Sequence, residues 1–377
     1  MAGIYIHIPF CKQACYYCDF HFSTSIKKKD DMIISLEKEM MLRKDELGTE
    51  SIKTIYFGGG TPSLLSSEEI NRLIETAKKH FQIDENPEIT LEANPDDLSK
   101  GRIEELAKSA VNRLSIGVQS FFDSDLKLMN RAHDSIEASS CLKNAQRYFE
   151  NISIDLIYGI PNGSDEQWSA NIEKALAFKV PHISAYALTV EPKTALESFI
   201  SKGLIPEIDE EKAASQFFTL IDLLEQNEFL HYEISNFGKE GFFSKNNTAY
   251  WLGKSYLGIG PSAHSYNGIS RKWNVKNNTK YINSLLEDKL PYEEEKLSKI
   301  DRYNEYIMTS LRTMWGVSLN TIENRFGESF LSFMLDQASE HIKLGLLELD
   351  GKTLSVSRKG KFLSDGIASD LFMIKLR

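Results

Sequence analysis

The chain has 377 residues, of which 41% are hydrophobic and 11% aromatic, enough for one large α/β domain with a small accessory domain. Its 54 acidic and 44 basic residues give a net charge of −10, which argues against nucleic acid as a partner, because phosphate binding usually needs a basic surface. No apolar run has the length of a membrane span and no signal segment precedes the first motif, so we expect a cytoplasmic protein that is not integral to a membrane.

The first motif of the chain is a C-x3-C-x2-C spacing formed by Cys11, Cys15 and Cys18. Closely spaced cysteine thiolates are typical ligands of iron–sulfur clusters, and three of them can hold three irons of a [4Fe–4S] cube. The fourth iron is then free to bind another ligand. The alternative is a zinc site with His7 or His21 as the fourth ligand, although structural zinc sites more often pair two short ligand motifs, and the sequence contains no second one.

Six short segments alternate apolar and polar residues, as half-buried β-strands do. They are residues 4–8, 53–57, 88–92, 113–119, 153–157 and 182–186. Helical patterns separate them. The clearest of these helices follows an N-cap signal at Ser66, and Cys141 lies in another, where we expect it to be a buried core residue. Strands that alternate with helices predict parallel βαβ units, and six units predict an α/β fold with an open, partial parallel (β/α)6 barrel.

The polar residues of these segments share one strand face, opposite the isoleucines and leucines. They are Tyr5, His7, Thr90, Glu92, Ser115, Gln119 and Asp155. If helices cover the apolar face, the polar face lines the interior near the carboxyl ends of the strands, where parallel α/β barrels place their chemistry. A solvent-exposed polar face is the alternative, but parallel sheets are usually covered on both faces. We therefore predict a polar cavity that binds a ligand.

A glycine run comes directly after the second predicted strand, at Gly58–Gly60, and Thr61 follows it. Glycines allow the backbone to approach a ligand closely and to adopt conformations that other residues avoid. Alone, such a run is an ordinary turn. Next to the cysteine loop at the end of the neighbouring strand, it favours a cluster with a bound cofactor over zinc.

The regular alternation of strands and helices stops after about residue 190. We predict a partial barrel over residues 1–190, a barrel extension and candidate heme or porphyrin region over residues 191–295, and a C-terminal module over residues 296–377. The module contains helices and then a hairpin that Asp350-Gly351 indicates, so it is similar to a winged helix. Its basic and acidic residues nearly balance, which favours a structural or docking role over DNA binding.

Five runs together resemble radical S-adenosylmethionine (SAM) proteins, and within them the oxygen-independent coproporphyrinogen III oxidase group. They are IHIPFC at 6–11, YFGGGTP at 56–62, EANP at 92–95, SIGVQSF at 115–121 and DLIYGIP at 155–161. The resemblance covers nearly the whole chain. It implies a [4Fe–4S] cluster on the three cysteines, SAM on the unique iron, and reductively generated radical chemistry.

The resemblance also implies which residues bind the cofactor. They are Tyr5, Gly59, Gly60, Thr61, Glu92, Gln119, Arg131 and Asp155. The two glycines and the threonine would cradle the methionine end of SAM, and the arginine would pair with its carboxylate. The two acids and the glutamine would hydrogen-bond its amino or ribose groups, and the tyrosine would contact it beside the cluster.

The group has two branches that differ in function. Oxidases decarboxylate the propionates of coproporphyrinogen, and they carry a longer N-terminal arm and a further cysteine two residues after the third cluster ligand. This chain has Phe20 at that position and only ten residues before Cys11, which resembles the other branch, chaperones that bind heme and deliver it to respiratory proteins. The resemblance therefore implies heme as a ligand and an acceptor protein as a partner. Coproporphyrinogen decarboxylation, a step of porphyrin biosynthesis, is the alternative, and whether the chain is an enzyme stays open.

The chaperone branch typically carries a His-Asn-x-x-Tyr-Trp motif that is associated with heme. The corresponding run in this chain begins with Asn246 instead of histidine. Asparagine is a poor iron ligand compared with imidazole, so we expect no axial ligation from Asn246. The remaining candidates for heme contacts are Tyr250 and Trp251, which would stack on the porphyrin, and His264, His7 and His21 as axial ligands, with His264 first.

Overall fold

The computed structural model describes residues 2–374, and within them it contains a 12-stranded sheet and a separate 3-stranded sheet. In chain order the strands are β1 (Ala2–Ile8), β2 (Ile52–Gly59), β3 (Ile83–Ala93), β4 (Arg113–Gln119), β5 (Asn151–Tyr158), β6 (His182–Ala187), β7 (Leu230–Glu233), β8 (Asn236–Gly238), β9 (Ser255–Ile259), β10 (His264–Tyr266), β11 (Ser270–Asn274), β12 (Tyr292–Lys296), β13 (Val317–Ser318), β14 (Leu347–Asp350) and β15 (Thr353–Val356).

Helices connect these strands. They are α1 (Lys29–Leu42), α2 (Ser67–His80), α3 (Lys100–Leu106), α4 (Asp123–Leu128), α5 (Ser135–Ala145), α6 (Asp165–Ala177), α7 (Ala195–Ser201), α8 (Glu210–Glu225), α9 (Lys245–Trp251), α10 (Asn278–Leu286), α11 (Lys299–Leu311), α12 (Leu319–Phe326), α13 (Glu328–Lys343) and α14 (Ser364–Asp370). Among the described helices, none combines the length and the hydrophobicity that crossing a bilayer requires.

The six predicted strands are confirmed as β1 to β6, which lie side by side in chain order, each parallel to the next. The partial parallel barrel is therefore confirmed. The large sheet continues beyond it on both sides. Strand β9 pairs in parallel with the free edge of β1, and β8 pairs antiparallel with β6. The alternating pattern did not predict these additions, because the pairing of β9 with β1 joins segments about 250 residues apart.

The helix after Ser66 shows why the apolar strand face is covered. Ser66 accepts a hydrogen bond from the Glu69 backbone, and the Glu69 side chain accepts one from the Ser66 backbone, which forms a capping box. The apolar residues of α2 then repeat at helical spacing and are buried; they are Ile70, Leu73, Ile74 and Ala77. Cys141 of α5 joins the same core, as predicted.

Strand β1 divides its side chains between the core and the interior of the barrel. Ile4, Ile6 and Ile8 have no exposed surface and pack in the main hydrophobic core. Tyr5 and His7 alternate with them and line the interior cavity. Successive side chains of a strand point to opposite faces, so the isoleucines of β1 face the core and its two polar side chains lie inside the barrel.

The C-terminal module has its own hydrophobic core, which forms around Tyr303, Ile307 and Leu311 of α11. Its three strands pair in the order β13-β15-β14, and Gly351 has a φ of 56° in the turn of the β14–β15 hairpin. The Arg312 carbonyl accepts a hydrogen bond from the backbone of the segment that joins β7 to β8. The module is thus attached to the extended sheet, while the boundaries at residues 190 and 295 stay predictions.

A buried ion pair holds the added strands against the barrel. The carboxylate of Glu39 in α1 accepts hydrogen bonds from Arg43 at 2.8 Å, Asn274 at 2.8 Å, the Gly260 backbone at 2.8 Å and the Tyr281 hydroxyl at 2.5 Å. Glu39 and Arg43 are 0% and 1% exposed. Because a buried charge needs both a counter-charge and hydrogen bonds, this carboxylate fixes where the extension lies on α1.

Replacing Glu39 with alanine should destabilise the protein strongly, because it leaves the Arg43 charge buried without its most buried partner. We expect Glu39→Ala to lower the free energy of unfolding by roughly 3–5 kcal/mol. The matched control is Glu37→Ala on the same helix, which removes a partly exposed pair with Arg72 and should cost about 1 kcal/mol or less. Denaturant unfolding followed by circular dichroism measures both values, and equal losses would contradict this role of Glu39.

Candidate functional site

The cysteine loop follows β1 at the carboxyl end of the parallel strands, and backbone hydrogen bonds hold it in place. The Cys11 amide donates to the Ser23 carbonyl at 3.0 Å, and the Ser23 amide donates to the Pro9 carbonyl at 2.9 Å, so the loop closes on itself. At its middle, the Tyr16 amide donates to the Met129 carbonyl at 3.1 Å. The three thiols are therefore presented by one fixed loop.

The three thiols of this loop are free and partly exposed. Burial raises the pKa of Cys18 to about 11 and also raises that of Cys11, so positive iron is needed to hold them as thiolates. Within residues 2–374, no three His, Cys, Asp or Glu side chains converge on a point where they would hold one metal ion. Three cysteine thiols on one loop are the donor set of an iron–sulfur cluster, in which each thiolate binds a different iron.

Arg131 lies between the cysteine loop and the end of β4. Its Nη1 is 3.5 Å from the Cys15 sulfur and 3.5 Å from the Tyr17 hydroxyl. Its Nη2 donates to the Asn94 side chain at 2.6 Å and to the Gly117 carbonyl at 2.9 Å. The buried Nε has no hydrogen-bond partner among the described residues. A fixed guanidinium with an unused donor beside the cysteines fits a carboxylate ligand.

Thr61 connects the glycine run to the cysteine loop. Its hydroxyl hydrogen-bonds the Cys11 sulfur and accepts a hydrogen bond from the Asn94 amide at 3.3 Å. Thr61 is only 3% exposed. Asn94 therefore contacts both Thr61 and Arg131. We did not single it out from the sequence, although it lies in the EANP run that carries part of the resemblance.

The glycines are required by the close approach of β1. A Cβ on Gly60 would lie 2.7 Å from the Phe10 carbonyl oxygen and 2.9 Å from that of Ile8. Gly59 has a φ of 108°, and a Cβ there would lie 2.5 Å from the His7 ring. The run thus brings the backbone of β2 against the start of the cysteine loop, and a side chain at Gly60 would displace that loop.

Two carboxyl groups face the barrel interior. Glu92 accepts hydrogen bonds from the Tyr56 hydroxyl at 2.8 Å and the Gly59 amide at 3.2 Å. Burial, with a smaller contribution from the charge of Asp155, raises the pKa of Glu92 to about 7. Burial likewise raises the pKa of Asp155 to about 6, and Ser115 donates to it at 3.4 Å. Such carboxyl groups gain most from a ligand that offers hydroxyl or ammonium donors.

Gln119 ends β4 with a φ of 64°, a backbone conformation that is unfavourable for a residue with a side chain. The Gln119 Nε2 lies 2.8 Å from the place that a Cβ on Gly117 would occupy. Strained backbone at the end of an interior-facing strand is typical of a functional position, because the surrounding structure has to maintain it.

One cavity of about 810 Å3 extends from Glu92 in the barrel to the added strands. Its wall includes Tyr5 and Glu92 on the barrel side, and Tyr250 and Trp251 of α9 and His264 of β10 on the other side. This volume lies in the range of sites for small molecules and cofactors. The structure therefore brings Tyr5, Gly59 and Glu92 of the predicted SAM residues to the same cavity wall as the predicted heme residues. The other predicted SAM residues, Gly60, Thr61, Gln119, Arg131 and Asp155, are not among the residues that line this cavity.

Residue Asn246, at the start of α9, also lines the cavity, and its side-chain oxygen accepts a hydrogen bond from Thr54 at 3.2 Å. The Tyr250 ring is 43% exposed and meets the Trp251 ring edge-on, with 5.0 Å between ring centroids. The guanidinium of Arg312 lies 5.1 Å from the centroid of the Trp251 ring. An aromatic wall with a cation behind it suits a flat ligand that carries carboxylates.

Four basic residues of the wall were not singled out from the sequence. They are Lys254, Arg271, Lys276 and Arg312. Two of them already have acidic partners, since Arg271 pairs with Glu305 and Arg312 with Asp365. Isolated cations in the region after residue 190 carry no sequence signal that separates them from surface charges, which is why only the folded chain identifies them.

Comparison with known proteins agrees with this geometry. Residues 5–175 match the Radical SAM superfamily, and residues 297–363 match the HemN C-terminal domain. The heme chaperone HemW of Lactococcus lactis is 36% identical, with 96% of this chain and 95% of the relative covered. The heme chaperone HemW of Bacillus subtilis is 33% identical, with 97% and 98% covered.

The same fold occurs in a solved structure. Coproporphyrinogen III oxidase (HemN) from Escherichia coli, a radical SAM enzyme, superposes with a TM-score of 0.86 over 99% of this chain and 90% of its own, at 24% sequence identity. At that identity the likeness shows the fold alone. The extended match to the chaperones at higher identity shows that the chain belongs to the HemW family of radical SAM proteins, a superfamily whose cofactors are a [4Fe–4S] cluster and SAM.

Proposed function

We propose that this chain is a heme chaperone, which binds heme in the cavity and transfers it to an acceptor protein. The observation that carries the proposal is one cavity of about 810 Å3, because its wall includes Tyr5, Gly59 and Glu92 of the predicted SAM residues together with the aromatic residues of α9. The names of the curated relatives support the same function. A cytoplasmic location and a respiratory acceptor belong to this proposal.

In this proposal, Cys11, Cys15 and Cys18 hold three irons of a [4Fe–4S] cluster. The cluster and SAM, when bound, supply radical and one-electron chemistry. Arg131 offers its unused Nε to the SAM carboxylate, and its contact with Cys15 keeps that donor next to the cluster.

The interior polar groups complete the cofactor site in this proposal. Glu92 and Asp155 accept hydrogen bonds from the amino or ribose groups of SAM, and Gln119 and Tyr5 contact the same ligand. Thr61 and the two glycines fix the cysteine loop against β2, since their close contacts are with β1 and Cys11.

In this proposal, heme binds in the part of the cavity that SAM does not occupy. Its flat macrocycle fits against the exposed face of Tyr250, and its two propionates match the basic residues of the wall, because carboxylates pair well with lysine and arginine. The region over residues 191–295, which includes α9 and α10, would then form the heme-binding wall. Residues 296–377 would form the attached module.

Coproporphyrinogen decarboxylation is the second candidate function, favoured by the full-length likeness to the HemN fold. Phe20 argues against it, because it occupies the position of the additional cysteine of the oxidases. The Phe20 side chain is 68% exposed and lines the cavity, where it offers an apolar surface and no thiol.

The cluster prediction is tested by iron analysis. Anaerobically reconstituted protein should hold about four irons per chain, and alanine at Cys11, Cys15 or Cys18 should remove most of them. Cys141→Ala is the matched control, since Cys141 is buried in the core and should leave the iron content unchanged. Stoichiometric zinc without iron–sulfur absorption would show the zinc alternative to be correct.

The heme prediction is tested by titration with ferric heme. We expect saturable binding to the reconstituted parent, and Tyr250→Ala should weaken it about tenfold, or about 1.4 kcal/mol, because it removes the stacking surface. Tyr148→Ala removes a tyrosine of nearly the same exposure, 44%, outside the cavity and should leave the affinity unchanged. Turnover of coproporphyrinogen by the parent, with cluster and SAM present, would instead support the decarboxylase.

The Glu92 carboxyl should make the stability of the cofactor-free protein depend on pH. Its pKa is raised to about 7 in the folded state, so the folded state binds this proton more tightly than the unfolded chain. The stability that this raised pKa contributes is fully present below about pH 4.5, the ordinary pKa of the group, and is lost as the pH rises through about 7, its pKa in the folded protein. Because cavity water screens part of the effect, we expect Glu92→Gln to gain on the order of 2 kcal/mol more at pH 8 than at pH 5.

Denaturant unfolding at the two pH values measures this difference. Glu85→Gln, which changes an exposed carboxylate, should show no such difference between pH 5 and pH 8. The same Glu92→Gln variant should bind SAM more weakly. If the stability difference between Glu92→Gln and the parent were the same at pH 5 and at pH 8, the assignment of Glu92 to the buried acid pair would be wrong.

A further inference from the structure

Three histidines line the cavity, and they differ in which ring nitrogens are free. They are His7, His21 and His264. Iron ligation needs an unprotonated nitrogen with a lone pair that no hydrogen bond uses. The hydrogen bonds of the three rings therefore decide which imidazole can bind a heme iron, given that the cavity binds heme as proposed above.

Both ring nitrogens of His7 are engaged. Its Nε2 lies 2.9 Å from the His21 carbonyl oxygen, and because a carbonyl only accepts, Nε2 carries the proton. Its Nδ1 then accepts from the Tyr5 hydroxyl at 3.2 Å. Iron binding by His7 would break one of these hydrogen bonds inside the barrel, where His7 is only 6% exposed.

His21 carries its proton on the same ring nitrogen as His7, but its other ring nitrogen is not engaged by any described residue. Its Nε2 lies 2.7 Å from the side-chain oxygen of Asn278, the first residue of α10, so Nε2 is the donor. This leaves Nδ1 unprotonated, and it has no hydrogen-bond partner among residues 2–374. Metal-binding histidines typically donate their other N–H to an oxygen that fixes the tautomer and the ring, which is the role of Asn278 here.

The surroundings of His21 keep the imidazole neutral and fixed. Burial lowers the pKa of His21 from its ordinary value; the hydrogen bond to Asn278 opposes this shift, and the nearby charge of Lys276 adds to it. The His21 carbonyl is held by His7, and the two rings are stacked with 6.2 Å between centroids. Lys276 also donates to the Asp19 carbonyl at 3.4 Å, so this cation lies beside the loop that carries His21.

His264 is less prepared for ligation. It is exposed at the cavity wall, and in the described part of the chain no hydrogen bond orients its ring. Its nearest ring contact is Trp273, with 6.4 Å between centroids. A ligand without a hydrogen-bonded partner pays more rotational entropy on binding and is less basic than one whose N–H is accepted by oxygen.

We propose that His21 supplies the axial imidazole to the heme iron through Nδ1, and that Asn278 is the residue that positions it. The heme then binds against the cysteine-loop wall, three residues after Cys18, with the basic group of Lys276 next to the macrocycle. Asn246 takes no part in ligation in this arrangement.

The test is a titration of ferric heme into the reconstituted parent and variants, followed by absorption and electron paramagnetic resonance. His21→Ala should lose the spectrum of an imidazole-ligated heme and bind heme at least tenfold more weakly. Added imidazole should restore the parent spectrum in His21→Gly. His264→Ala, and His80→Ala outside the cavity, should keep the parent spectrum.

Asn278 variants separate positioning from ligation. Asn278→Asp keeps an oxygen acceptor and should retain the axial spectrum with a lower heme reduction potential, because a carboxylate makes the imidazole more basic. Asn278→Leu should give a mixture of ligated and unligated heme. His21→Met serves where His21→Ala fails to fold, and it should shift the spectrum to that of a thioether ligand.

The outcomes distinguish this inference from the proposed function. A parent that binds no heme overturns both. A parent that binds heme with an unchanged spectrum in His21→Ala, and a changed one in His264→Ala, overturns the inference and leaves the chaperone function standing. Loss of cluster iron from His21→Ala with an unchanged heme spectrum would assign His21 to the cluster and also overturn the inference.

Discussion

The position of the cavity depends on one buried carboxylate. Glu39 accepts four hydrogen bonds, which come from the residue after α1, the residue after β9, β11 and α10. Through Tyr281 it holds α10, and α10 begins with Asn278, which contacts His21. Because Glu39 and Arg43 are buried together, moving the extension away from the barrel would expose or separate a charge pair. The buried charge pair at α1 thus fixes the position of a cavity wall to which α1 contributes no residues.

Strand β1 is the second part of this arrangement. It has parallel neighbours on both sides, β2 from the early part of the chain and β9 from the late part. Its apolar residues fill the core, its polar residues face the cavity, and its end carries the cysteine loop. A single strand therefore brings together residues that the chain separates by about 250 positions, and the glycine run of β2 is the feature that allows the loop to pack so closely.

The sequence predicted the parts of the fold that rest on local patterns. The strand repeats and the capping box at Ser66 identify the six strands and the helix that covers them, and β4 has the bounds that the pattern predicts. The pairing of β9 with β1 could not be predicted in this way, because no local repeat records a long-range neighbour. The same limit applies to the contacts of individual side chains. Arg131 has the pattern of a surface arginine, and only the fold shows that it contacts Cys15.

The site is built from groups that an ordinary core would avoid. Glu92 and Asp155 have raised pKa values, Gln119 has a positive φ, and Arg131 has a buried N–H without a partner in residues 2–374. Each of these features lowers the stability of the protein without its ligands. Their concentration on β3 to β5 and beside the cysteine loop indicates that ligands supply the missing interactions. The barrel fold, which HemN shares, therefore does not decide between chaperone and decarboxylase; the side chains that line the cavity do.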